Sequence, residues 1–342
     1  MCRLFGLTSG TARVRATFWL LDAPDSLEAQ SHRNVDGSGI GFFDPAGEPV
    51  VDKQPEPAFA DQEFIHEAKD ASSSTFVAHV RWATAGGRTI QNTHPFTMGG
   101  RIMAHNGGFG ELPRLDEQLG SYAGLVLGDT DSERYFALIT QQIDAHGGDV
   151  GAGIAAAAGW IAANLPVSSL NTVVVAPGEL WALRYPDQHA LHILQRPPGR
   201  DKAAAGNAGP HVPQQPPDAG QAAAGNPGPH VVERPTGGGQ AAAGNAGPHV
   251  VERPTGGGQA AAGDAGLHVR SATSSVHVPG LGEAASVVVA SERLDGEDGW
   301  RMLAPGELVH VRADLSVDCG VVLSRPPARL VPLPAGNPNI DT

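Results

Sequence analysis

Short runs rich in Val, Ile, Leu and aromatic residues punctuate this chain, each bounded by Gly, Pro or Asp. That pattern predicts strands at 2–8, 39–44, 75–82, 102–105, 172–176, 180–185, 190–194, 286–291, 307–312 and 316–323. Three other stretches, 61–70, 130–146 and 150–164, carry the spacing of helices. In the middle one Tyr135, Leu138, Ile139 and Ile143 fall on one face. Strand groups separated by helix groups, without regular βαβ alternation, predict an α+β fold of layered antiparallel sheets with helices outside.

One segment breaks the pattern. From Lys202 the chain repeats every 19 residues, with units opening at Lys202, Gln221, Gln240 and Gln259. Nearly every residue of the repeats is Ala, Gly, Pro, Asn, Thr or charged, and none is Phe, Trp or Tyr. Such a sequence buries too little apolar surface to offset the entropy of ordering it. The expectation is a disordered tandem insertion over 201–275. It interrupts one domain formed by 2–200 and 276–330, with a tail at 331–342.

Composition narrows the classes. The 342 residues carry 36 acids against 23 Lys and Arg, a net charge of −13. That excess argues against nucleic acid or an anionic membrane as partner. No apolar run reaches the roughly 20 residues that span a bilayer, and no apolar leader opens the chain. Two cysteines, Cys2 and Cys319, make no disulfide framework. A cytoplasmic location is the expectation.

Cys2 stands directly behind Met1. Removal of Met1 leaves a cysteine with a thiol and a free α-amine. Their reference pKa values, about 8.5 and roughly 7.7–8.0, make proton transfer between them nearly balanced. An N-terminal amine can thus activate its own side chain. The bland alternative is a small residue buried in a first strand. Arg81 closes a strand before a Gly-Gly turn, where its fork of donors suits a carboxylate; a surface ion pair is the alternative. Asn106-Gly107 after apolar residues reads first as a turn. It can also supply an oxyanion hole from the Asn106 amide and the Gly107 N–H. Thr130 and Glu133 fit a capping box, which sets Asp131 in the first turn of a helix. There Asp131 can face a substrate ammonium.

In order, the chain presents Cys2, then DGSGIG from Asp36, RWAT from Arg81, NTHP from Asn92, HNG from His105 and TDSE from Thr130. This series resembles the class II glutamine amidotransferases, whose domain is an N-terminal nucleophile hydrolase. The likeness runs from residue 2 to about 165. It continues through LWALRY at 180–185 and VVVASER at 287–293, which look like the small stand-alone members. The resemblance implies a four-layer αββα sandwich. It implies Cys2 as nucleophile, Asn106 and Gly107 as oxyanion hole, and Arg81, Asp131 and Thr84 around the substrate. Trp82, His94 and Asp36 are assigned support. No metal or organic cofactor is implied. Ala85 departs from the histidine usual in synthase-linked members after Arg-Trp-Ala-Thr, which weakens the case for coupling in their manner.

The reaction implied is hydrolysis of a γ-glutamyl amide through a γ-glutamyl thioester, releasing glutamate and ammonia or an amine. The substrate is a small γ-glutamyl molecule, and any ammonia- or amine-using partner enzyme acts in trans. One alternative is a hydrolase of γ-glutamyl conjugates that transfers no ammonia. A second is a non-catalytic binding protein on the same fold.

Overall fold

A computed structural model describes residues 2–83, 86–198 and 284–333, together with the backbone of 266–270 and 275–279. All of these fall in one unit, Met1–Ala203 with Asp264–Thr342. The repeats before 266, expected to be disordered, lie outside the described residues. At the end of that tract, β10 (Gly266–Arg270) pairs antiparallel with β11 (Ser275–Pro279). This hairpin spans the C-terminal boundary of the expected insertion. Its alternating sequence, Leu-His-Val against Val-His-Val, carries the strand period where the repeats before it do not.

Two sheets form the body. The first runs β13 (Arg301–Met302), β9 (His192–Arg196), β12 (Ser286–Ala290), β1 (Arg3–Thr8), β4 (Thr75–Val80), β2 (Ser38–Phe43) and β3 (Pro49–Gln54). The second runs β15 (Val317–Val321), β14 (Glu307–Val311), β8 (Glu179–Leu183), β7 (Pro166–Ala176), β6 (Arg101–Phe109) and β5 (Phe96–Met98). All these neighbours are antiparallel; β16 (Arg329–Leu330) adds a short parallel pairing to β7. Both sheets draw strands from either side of the repeat tract.

Strand alternation divides the core into layers. Leu4, Val77, Ile102, Val173 and Val289 pack between the sheets. Phe5, Ile40, Phe76 and Val288 face outward under α1 (Leu27–Ser31), α2 (Gln62–Asp70) and a π-helical turn at Phe18–Asp22. Met103, Leu170, Val174 and Leu183 face α3 (Leu112–Leu119), α4 (Asp131–Ala145) and α5 (Val150–Asn164). The result is the αββα order. Gly6 lets the sheets approach, because a Cβ there would sit 2.8 Å from Val173 Cγ1.

Helix ends follow their sequence signals. Asp61 accepts from the Glu63 and Phe64 amides to start α2, and Asp149 accepts from Ala152 N to start α5. Gly153 permits the close α4–α5 crossing: a Cβ there would lie 2.4 Å from Ile143 Cγ1. Strand β3 escaped the sequence reading because its polar residues Asp52, Lys53 and Gln54 sit half-buried on a sheet edge.

Candidate active site

Residues 77, 79 and 81 share one face of β4 and its extension, and residues 2 and 4 share one face of β1. Both faces look between the sheets, since Val77 and Leu4 lie in the inter-sheet core. At one end of that layer the apolar filling stops and an open cleft of about 320 Å³ begins. Cys2, Arg81, Trp82, His94, Gly107 and Asp131 all line it, with Ala83, His105, Thr130 and Ser132.

Cys2 precedes β1 and is half-buried. Its Sγ accepts a hydrogen bond from Trp82 N at 3.3 Å and lies 3.4 Å from Trp82 O. Burial pushes the thiol pKa up. The Trp82 amide, the positive chain terminus, Arg81 and Arg3 act against that rise.

Arg81 extends the ladder beyond β4: its N–H donates to Gly37 O at 2.8 Å, and Asp36 N–H donates to its carbonyl at 3.0 Å. The residue is 3% exposed. Burial lowers its pKa, while Cys2, Asp36 and Asp131 favour the charged form. Its Nη1 donates to Gly87 O at 3.1 Å, and Asn92 Nδ2 donates to the same carbonyl at 3.2 Å. Asn92 Oδ1 in turn accepts from Asp129 N at 2.8 Å. Asn92 thereby fixes the Arg81 loop to the start of α4. Asp36 lies outside the cleft lining. Its carboxylate accepts from Ala83 N at 2.7 Å and pairs with Arg88, which pins the turn after Arg81. Thr84 lies outside the described residues.

Thr130 caps α4 by accepting from Glu133 N at 3.2 Å. The reciprocal bond of a capping box is redirected: Glu133 Oε2 accepts from Gly128 N at 2.7 Å. Asp131 opens α4, where the helix dipole favours an anion. Its Oδ1 accepts from Ser132 N at 2.9 Å and its Oδ2 from Phe109 N at 3.1 Å. The carboxylate is thus fixed from both its own helix and β6.

Asn106 and Gly107 are not in a turn. β6 continues through them, with Asn106 opposite Asn171 and Gly107 opposite Leu170, and the ladder shifts only between Gly108 and Phe109. Tertiary pairing with β7 overrides the local Asn-Gly preference. Glycine is required at 107, where a Cβ would stand 2.0 Å from Ser169 O. Asn106 is 3% exposed and shares the inter-sheet face of β6 with Ile102 and Ala104.

His94 packs against His79 with tilted rings, 4.2 Å between centroids, and meets Phe96 edge-on at 4.6 Å. Burial lowers both pKa values, that of His79 to about 3, so both rings are neutral at pH 7. His105, the first residue of the HNG motif, also borders the cleft. Its Nδ1 lies 2.9 Å from Ser132 Oγ and its Nε2 3.2 Å from Ser169 O. Donation from Nε2 to the carbonyl leaves Nδ1 to accept from the serine. Among the described residues no group of three or more His, Cys, Asp or Glu is placed to hold a metal ion. No described helix is long and apolar enough to cross a membrane.

The family model described as "Glutamine amidotransferases class-II" matches residues 1–208. The probable glutamine amidotransferase DUG3 of Saccharomyces cerevisiae is 31% identical over 133 residues, 36% of this chain and 37% of that protein. The gamma-glutamyl-hercynylcysteine sulfoxide hydrolase of Mycobacterium tuberculosis is 37% identical over 117 residues, 31% of this chain and 49% of that protein. The matches thus span less than half of these relatives. Among solved structures, the glutamine phosphoribosylpyrophosphate amidotransferase of B. subtilis superposes with a TM-score of 0.51 at 14% identity, over 95% of this chain and 50% of that one. A second, described as the allosteric regulatory enzyme of purine biosynthesis, superposes at 0.54 and 15% identity, over 94% of this chain and 49% of that one. At those identities the likeness is one of fold.

Proposed function

Because this chain belongs to the class II glutamine amidotransferases, we propose that it hydrolyses a γ-glutamyl amide with Cys2, freed of Met1, as nucleophile. The observation that carries the reading is the gathering of Cys2, Arg81, Gly107 and Asp131 on one cleft from four separate parts of the chain.

Arg81 holds the substrate α-carboxylate and Asp131 its α-ammonium, which sets the γ-carbonyl beside Cys2. The α-amine of Cys2 takes the thiol proton, and the thiolate attacks the carbonyl carbon. The Asn106 amide and Gly107 N–H stabilise the oxyanion. The tetrahedral intermediate collapses with loss of the C–N bond. The protonated amine leaves as ammonia or a larger amine, and a γ-glutamyl thioester remains. Water, deprotonated by the α-amine, then releases glutamate and restores the thiol. Trp82, His94 and Asp36 support this site: Trp82 through its amide on Sγ, Asp36 through Ala83, and His94 as a neutral wall.

The segments 2–200 and 276–330 together make the amidotransferase domain. Its substrate is a small γ-glutamyl molecule. An ammonia- or amine-using enzyme, where one serves it, acts from another chain. The test is intact mass after incubation with diazo-oxo-norleucine, with Cys2→Ser in parallel. One adduct on a chain lacking Met1, blocked by glutamine and absent in the variant, is expected. A retained Met1 without adduct overturns the proposal. Turnover of glutamine against γ-glutamyl peptides then identifies the leaving group.

A further inference from the structure

The first residues of a chain fray unless something ties them down. Here the residue in question is Cys2, one position ahead of the first strand. On one side β4 holds β1 as far as Arg3, opposite Val80. On the other side the β12 ladder stops at Phe5, opposite Ala290. Beyond that point Ser291 and Glu292, the residues that follow β12, take over.

Ser291 Oγ accepts from Leu4 N at 2.9 Å, and Ser291 N donates to Leu4 O at 3.0 Å. Glu292 forms an ion pair with Arg3, whose side chain is 2% exposed. Arg3 Nη1 also lies 3.4 Å from the carbonyl oxygen of Cys2. From solvent Arg33 reaches the other Glu292 oxygen at 3.6 Å and Asp25 at 3.5 Å. The guanidinium beside Cys2 is therefore held by a carboxylate that is itself held. Ser291 and Glu292 lie past the residues matched by the family model.

We infer that Ser291 and Glu292 are positioning residues for the nucleophile: they fix Cys2 through Leu4 and Arg3 without touching substrate. The inference rests on Cys2 being the nucleophile. It separates binding from chemistry, because Arg81 is held by Asp36 and Gly37, just ahead of β2, and Asp131 by α4 and β6, none of them part of this clamp. A displacement of about 1 Å at a reacting atom can cost roughly a hundredfold in rate.

The experiment measures kcat, KM and the rate of Cys2 alkylation by diazo-oxo-norleucine for the full chain and for Glu292→Gln, Glu292→Asp and Ser291→Ala, with melting temperature alongside. Glu292→Gln is expected to lower kcat and the alkylation rate by about tenfold or more, with KM within about twofold. Glu292→Asp, which keeps the charge, recovers part of that loss. Ser291→Ala loses kcat in the same way. A Glu292→Gln protein that keeps wild-type kcat overturns the inference alone. So does one that loses kcat and KM together, with Glu292→Asp no better than Gln. A wild-type chain with neither turnover nor adduct overturns the proposed function and this inference with it.

Discussion

Arg196 and Ser286 face each other across β9 and β12, although the whole repeat tract lies between them in the chain. The two strands are neighbours in one sheet, so the backbone leaves it and returns at adjacent points. Closing such ends costs little more with a long connection than with a short one. Replacing 199–283 by a short Gly-Asn turn is therefore expected to keep folding and γ-glutamyl turnover, with a melting temperature within a few degrees of wild type. Calorimetry with the glutaminase assay checks this, and a collapse of solubility or turnover would contradict it.

The oxyanion reading makes a second prediction. Asn106→Ala should lower kcat on the order of 10²–10³-fold, with a smaller effect on KM. Gly107→Ala should act differently. The 2.0 Å approach of its Cβ to Ser169 O forces β6 from β7, so both stability and activity fall, and thermal melting separates the two variants.

Arg81 and Asp131 are expected to govern binding of the glutamyl end. Asp131→Asn removes the charge while keeping the shape, and a lost charged hydrogen bond of about 1.5–3 kcal/mol corresponds to roughly 10–150-fold in kcat/KM. Arg81→Lys keeps the charge but loses the planar fork, so KM should rise for every γ-glutamyl substrate. Steady-state kinetics on glutamine and on one γ-glutamyl peptide checks both.

Acid stability follows from the buried histidines. His79, held to about 3, and His189, held to about 4, stay neutral in the folded state because burial disfavours their charged forms. Unfolded, they take up protons near pH 6.5, so below that pH the unfolded state binds more protons. Stability therefore falls as pH drops from about 6.5 toward 4, each such group adding at most about 1.4 kcal/mol per pH unit. Above about pH 7 this contribution is fully present. Urea titrations at pH 7, 6 and 5 should show the decline, and His79→Phe should make it shallower.

Much of this was legible along the chain. All ten strand runs correspond to strands and all three helical runs to helices, because the period of two or 3.6 is set by which face must be buried. Cys2, Arg81, Gly107 and Asp131, which line one cleft, stand out in the sequence because each motif carries its own residue chemistry. Other features belong to no local pattern. Asn106-Gly107 has the composition of a turn, yet it is strand because β7 lies alongside to pair it. Glu133 completes its cap on Gly128 instead of Thr130 because that loop folds back over the helix start. Asn92 joins the Arg81 loop to α4, and Glu292 pairs with Arg3 from the far end of the chain. A sequence determines which side chains are present and the repeat on which a segment buries them. Only the closed fold decides which distant backbone amides, carbonyls and charges meet, because those contacts depend on the packing of whole sheets and helices.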